Sequence, residues 1–364
     1  MRPTLPRALA ATVLGMLGWY TFVVGPQLAS PGAPESRFVY ERPPPQQMAQ
    51  LAQFPAAGHT FIGVQTDAGT KDFAGAERFA TATGTRPSVY EFSAGWAIDE
   101  FSPEPITRVA ARGMLPMVSW EPWDFRTQGP SDHGRADQPA WRLAEITGGA
   151  YDDYVRSWAR GIADLGYPVA VRLGHEMNGT WYPWAERVNG NRPGDFVRMW
   201  HHVHDLFDAA GARNVIWVWS PNVGYVGSQP LDTLYPGDAY VDWVGLSGYY
   251  GTGGQRAYRS FDQIFGETLR SVAGISARPV VIAETGATDV IGRRADWIRD
   301  MFRSLDRHPE VIGVIWFEVG GEVDWRIAGA PDAAGAFRAG AAAPRYDAPW
   351  TPYTRPLTTV AARR

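Results

Sequence analysis

Two glutamates stand where apolar, strand-like runs stop. Glu176 follows Val169-Ala-Val-Arg-Leu173 and the pair Gly174-His175, and Glu284 follows Pro279-Val-Val-Ile-Ala283, 108 positions further on. A polar, Trp-rich stretch, Met177-Asn178-Gly179-Thr180-Trp181-Tyr182-Pro183-Trp184, trails the first, and Thr285-Gly286 trails the second. Enzymes built on parallel sheets keep their reactive groups at such strand ends. Two carboxyls placed this way can hydrolyse a glycosidic bond: one, protonated, gives its proton to the leaving oxygen, while the other, ionised, attacks the anomeric carbon, the pair lying about 5 to 5.5 Å apart in the retaining case. Beside a charged Glu284, ionisation of Glu176 is disfavoured, so Glu176 is the expected acid and Glu284 the expected nucleophile. Once the sugar has esterified Glu284, Glu176 ionises more readily and becomes the base that activates water.

Other polar and aromatic residues follow comparable runs: Trp120-Glu121-Pro122-Trp123, Ser220-Pro221-Asn222, Tyr249-Tyr250 and Trp316-Phe317-Glu318. His175 either orients Glu176, bonds a sugar hydroxyl, or packs as a structural side chain. Arg172, three positions earlier, falls on the opposite side of an ideal strand and reaches the acids only through a twist or bulge. The 16 Trp and 15 Tyr among 364 residues supply flat apolar plates carrying one polar handle, a shape suited to the C–H face of a sugar ring.

Eight strand-like runs, at 61–65, 88–92, 115–120, 169–173, 215–219, 243–247, 280–283 and 313–317, must position these groups. Amphipathic stretches at 151–165, 193–210, 261–272 and 293–305 separate several of them, with only a weak helix near 223–238. Strict alternation of strand and helix implies parallel neighbours joined by right-handed crossovers. The expectation is an α/β fold, a single (β/α)8 TIM barrel, over residues 58–341. Residues 1–30, with Arg2 and Arg7 before an uncharged apolar run at 8–24, read as a signal peptide or membrane anchor that places the rest outside the cell, secreted or held on the outer face of the membrane. Residues 31–57 read as a Pro-rich linker and 342–364 as a C-terminal tail.

The absence of cysteine excludes disulfides, thiolate metal sites and a Cys nucleophile. A net charge of −4 without basic blocks argues against nucleic acid as a partner. The cluster His201-His202-x-His204 falls within a helical pattern away from the strand ends, and Gly179 stands where HExxH needs its second His, so no metal is expected. The chain is expected to act as a monomer without a cofactor. Asp324-Trp325-Arg326 either pairs charges structurally or lines a distal subsite.

The segment Arg172-Leu-Gly-His175-Glu176-Met-Asn178-Gly179-Thr-Trp181, together with the later Glu284, resembles glycoside hydrolase family 26, which contains β-mannanases and β-glucanases. The resemblance spans most of residues 58–341. It implies a retaining enzyme on a (β/α)8 barrel, with Glu176 as acid/base and Glu284 as nucleophile. It further implies a Tyr after strand six against the nucleophile, Tyr249 or, as the alternative, Tyr250, and an aromatic sugar platform at the end of strand eight, Trp316. His175 directly before the acid/base favours this family over its clan relatives. Candidate sugar contacts are therefore His175, Asn178, Trp181, Trp120, Tyr249, Trp316 and Arg172. Ser119-Trp120-Glu121 replaces the His that the mannanases carry near the end of strand three, and Tyr182-Pro183-Trp184 follows Trp181, so the expected polysaccharide is a β-mannan or a β-glucan. A non-catalytic carbohydrate-binding barrel is the alternative from another class.

Overall fold

The computed structural model describes residues 54–127, 134–252, 254–321 and 323–352. The expected export segment at 1–30, most of the linker, and positions 353–364 of the tail lie outside the described residues.

Eight parallel strands close on themselves in chain order: β1 (Phe61–Thr66), β2 (Val89–Gly95), β3 (Leu115–Glu121), β4 (Val169–Leu173), β5 (Val215–Trp219), β6 (Trp243–Tyr250), β7 (Val280–Ala287) and β8 (Val311–Glu318). Helices α1 (Ala74–Thr83), α2 (Pro103–Ala110), α3 (Leu143–Thr147), α4 (Asp152–Leu165), α5 (Asp195–Ala209), α6 (Phe261–Ala273), α7 (Arg294–Leu305) and α8 (Pro331–Ala341) lie on the connections. This is the expected (β/α)8 barrel. Only a short 3-10 turn, Leu231–Thr233, lies between β5 and β6, in line with the weak helical pattern there.

Local chemistry explains the helices. In α4, Val155, Trp158, Ala159, Ile162 and Ala163 repeat at three- and four-residue spacing and are buried against the barrel, and Gly166 ends the helix in the left-handed region at φ 73°. At the start of α6 the Ser260 side chain accepts from the Gln263 backbone N–H, while the Gln263 side chain reaches back to the Ser260 backbone, so two otherwise unpaired donors are satisfied.

The strands run further than their apolar runs suggest. β6 and β7 extend together through Ser247↔Glu284, Gly248↔Thr285, Tyr249↔Gly286 and Tyr250↔Ala287, after a register shift between Gly245 and Ser247. Glu284 and Tyr249 therefore sit inside the ladder rather than beyond it, which holds their backbones more firmly than a loop would. The expected tail is corrected in part: Tyr346 packs edge-on against Phe302, Trp350 meets Tyr167, and Arg345 donates to the Thr60 hydroxyl at 2.7 Å. Two buried rings among small residues anchor this stretch to the barrel, a signal that its Ala, Pro and Arg content masks.

Phe61 stacks on Phe54 at 5.3 Å and contacts Trp243 at 5.6 Å, and it lies beside its ladder partner Gly313. A Cβ on Gly313 would fall 2.1 Å from the Phe61 ring. Gly313→Ala is expected to lower stability by about 1 to 3 kcal/mol through overpacking, read as a lower urea midpoint at unchanged m-value.

Candidate active site

Arg172 points into the barrel from β4, at a level where its neighbours are small or acidic. Its Nε donates to Ser220 Oγ at 2.9 Å and its Nη2 to Ser247 Oγ at 2.5 Å. Its Nη1 reaches Ser119 Oγ at 3.2 Å, Glu91 Oε1 at 2.9 Å and Glu284 Oε2 at 2.8 Å. The three serines leave room for a guanidinium where larger residues would fill the barrel. Arg172 and Glu91 are fully enclosed, whereas the Glu284 side chain keeps 13% of its surface exposed. Burial alone would pull the Arg172 pKa down, but Glu91, Glu284 and Glu176 together raise it above its ordinary value, so the group stays cationic.

Arg172 reaches the acids with no register shift in the pairings of β4. β4 ends at Leu173, and the chain then turns through Gly174 at φ 50° and Glu176 at φ 56°. Strand alternation thus stops before His175, and Arg172 is simply an inward-facing strand residue. The turn is held on both sides, since Gly174 N–H donates to Trp120 O at 3.0 Å and Glu176 N–H to Ser220 O at 2.7 Å.

Glu176 receives one donor on each oxygen: Asn222 Nδ2 on Oε1 at 2.9 Å and Trp181 Nε1 on Oε2 at 2.8 Å. Burial, and then the charge of Glu284, push its pKa above the usual carboxylate range, and these effects outweigh Arg172 and the two donors. Glu284 is bonded differently: Arg172 holds Oε2, and the Tyr249 hydroxyl donates to Oε1. Burial and the adjacent Glu284 raise the Tyr249 pKa far above 10, so this phenol keeps its proton. The site thus holds one carboxyl biased towards its acid form and one bound to a permanent cation.

The remaining candidates divide. Asn178 Nδ2 donates to Asn222 O and its Oδ1 accepts from Asn222 N–H, both at 2.9 Å, so it fixes the loop that carries Asn222. His175 is buried against the stacked pair Tyr182 and Trp184, with Nε2 3.2 Å from Tyr182 Oη, and burial followed by Arg172 lowers its pKa well below 6.5, which keeps it neutral. Trp120 is displaced from the expected sugar contacts. It faces the helices from β3 and packs on Trp96, Tyr154, Trp158 and Phe207 with no exposed surface. Trp316 is corrected in the same way, since it packs outward on Phe337 of α8. Strand alternation is the cause: Ser119 and Arg172 face inward, so Trp120 next to Ser119 must face out. The aromatic beside Tyr249 is instead Trp325, 4.7 Å away, with Phe317 at 5.7 Å. Next to Trp325, Asp324 pairs with Arg326 at 2.8 Å, and both line a cavity of about 850 Å³ with Asp67 and Glu318.

Glu91 escaped the sequence reading, although a lone Glu within Val89-Tyr-Glu-Phe92 is itself a signal of an inward charge. Glu121 is buried and accepts from Trp123 Nε1 at 2.8 Å. Burial pushes both Glu91 and Glu121 up to about 7. The helical histidines are occupied locally: His201 Nε2 lies 2.7 Å from Pro236 O, His202 Nε2 lies 2.7 Å from Asp152 Oδ1, and His204 packs against Trp217 and Tyr240.

Residues 145–298, which include Glu176 and Glu284, match the sequence model of glycosyl hydrolase family 26. This segment belongs to that family. Endoglucanase H of Acetivibrio thermocellus is 34% identical over 254 residues, covering 66% of this chain and 26% of that protein. A mannan endo-1,4-beta-mannosidase of Bacillus subtilis is 26% identical over 223 residues, covering 54% and 59%. The chain thus spans about a quarter of the first of these relatives and about three fifths of the second. Among solved structures, a family 26 beta-mannanase from Bacteroides ovatus superposes with a TM-score of 0.61 at 16% identity, over 82% of this chain and 93% of that one, a likeness of fold.

The raised carboxyls give the barrel a stability that depends on pH. Unfolded, Glu91 and Glu121 release their protons near their ordinary 4.5; folded, near 7. Between those values the unfolded chain binds fewer protons, so stability falls as pH rises. The thermal midpoint is expected to drop from pH 5 to pH 7.5, and Glu121→Gln to flatten that slope in calorimetric scans; a wild-type midpoint that climbs over this range would contradict the assignment.

Proposed function

We propose that the chain is an exported retaining endo-β-glycanase, acting first on β-1,4-mannan and next on β-glucan. The observation that carries this reading is the unequal setting of two neighbouring carboxyls: Glu176 is pushed towards its protonated form on neutral donors, while Glu284 is bound to the Arg172 cation. Glu284 attacks the anomeric carbon as the bond to the leaving oxygen breaks, and Glu176 gives that oxygen its proton. Loss of the Glu284 charge in the ester lets Glu176 ionise. Glu176 then takes a proton from water, whose oxygen displaces Glu284 and restores both groups. Arg172 and Tyr249 hold Glu284 at its two oxygens, so it points in one direction before substrate arrives. Its sugar contacts are proposed to come from Trp181 and Tyr249, with Trp325 and His175 behind them. The name and 34% identity of endoglucanase H support the β-glucan reading beside the mannan one. The charged and apolar pattern at 1–30 supports export, to the medium or to the outer membrane face.

Incubation with galactomannan, mixed-linkage glucan and cellulose, followed by sizing of the products, tests both reaction and substrate; internal cleavage of at least one polymer is expected. Glu176→Gln and Glu284→Gln are each expected to lower kcat on that polymer by about 10² to 10⁴ or more. Full activity in both variants would end the proposal. Because Glu176 must be protonated for the first step, kcat/KM is expected to decline at alkaline pH, and Glu176→Gln to abolish that limb.

A further inference from the structure

Among the described residues, the exposed large apolar side chains are Tyr225, Val226 and Ile291, and all three lie on loops that follow barrel strands. Tyr225 and Val226 are adjacent, on the loop after β5, beside the acid. Their loop is firmly built. Gly224 N–H donates to Thr268 Oγ1 at 2.8 Å, Arg187 Nη1 to Gly227 O at 2.6 Å, and Gln229 N–H to Asn178 O at 3.0 Å. A turn closes it, with Ser228 N–H on Tyr225 O at 2.9 Å and Tyr225 N–H on Ser228 Oγ at 3.2 Å. The Tyr225 ring lies 5.7 Å from that of Trp181, inclined at 36°. Trp181 in turn donates to Glu176. A line of fixed groups therefore runs from Glu176 through Trp181 to an exposed aromatic at the rim.

The direction of that line has chemical meaning. A general acid must stand over the oxygen of the bond that breaks, so groups lying beyond it face the departing part of the substrate. The nucleophile is tied to Arg172 and Tyr249, with Trp325 behind. Tyr225 bonds to neither. We propose that Tyr225, backed by Trp181, is the platform for the leaving-group portion of a β-linked glycan, accepting the apolar face of a sugar ring there. The inference rests on the hydrolase reading above and extends it to a specificity-determining residue. A fixed ring suits this task because little conformational freedom is lost when a sugar lies on it.

The test compares two substrates of one enzyme. One is a β-linked oligosaccharide long enough to reach beyond the cleaved bond; the other is a dinitrophenyl glycoside with the same sugars on the nucleophile side and no sugar on the leaving side. In Tyr225→Ala, kcat/KM on the oligosaccharide is expected to fall about five- to tenfold more than on the aryl glycoside, largely through KM, the size of one lost aromatic contact. Tyr225→Phe, which keeps the ring, is expected to restore the wild-type ratio, and transfer of the glycosyl unit to sugar acceptors should fall in parallel in the Ala variant. Equal losses on both substrates, or no loss on either, would overturn the platform while leaving the hydrolase reading in place. Wild-type protein inert towards every β-glycan and aryl glycoside would instead remove the hydrolase reading, and the platform with it.

Discussion

A single buried guanidinium organises the mouth of this barrel. Arg172 is inaccessible to water, and a charge in that position is tolerated only when its donors are matched. Five groups match them, contributed by β2, β3, β6, β7 and the segment just after β5. The barrel must therefore close in one register for the cation to be satisfied, and the same closure sets the direction of Glu284. Fold stability and chemical readiness share one interaction. Removing a partner from such a buried pair typically costs about 3 to 5 kcal/mol, so the network resists piecemeal change.

The network also sorts protons. One cation cannot neutralise Glu91, Glu121, Glu176 and Glu284 together, and burial penalises every uncompensated charge. Glu284 lies in direct contact with the cation. Glu176 lies farther along the rim and relies on the neutral donors Asn222 and Trp181, so its acid form is the cheaper one. The difference between the two carboxyls is set by their neighbours rather than by their own chemistry.

Much of this was readable in the chain. The eight runs and their intervening amphipathic stretches announce a parallel barrel, because period-two burial and helical periodicity leave distinct traces. Glu176 and Glu284 stand out because each interrupts an apolar run. The orientation of aromatic residues was harder to read: the consecutive apolar residues at 314–317 carry no alternation, so nothing in them says that Trp316 faces the helices, and in Val118-Ser119-Trp120 the alternation is visible but not which face is inward. Arg172 reaches the acids because the chain turns after Leu173, so the alternation of an ideal strand does not extend to His175. The final residues of β6 and β7 looked like loops because Gly, Glu and Ala have low strand preference, yet after a register shift the two strands extend together. Glu91 was hidden by its apolar neighbours, and Trp325, singled out with Asp324 and Arg326, lies too far from the eighth run for its place beside Tyr249 to be read.

The left-handed turn at Gly174 and Glu176 has an evolutionary consequence. Its amides are claimed by carbonyls on both flanks, Trp120 on one side and Ser220 on the other. An insertion or deletion between Arg172 and Glu176 would break both claims and swing the proton donor away from the cation that balances its partner. Descendants of this scaffold can thus diversify by lengthening or trimming other connections around the mouth, altering which polymer they hold, while the four-residue step from guanidinium to acid stays constant in length.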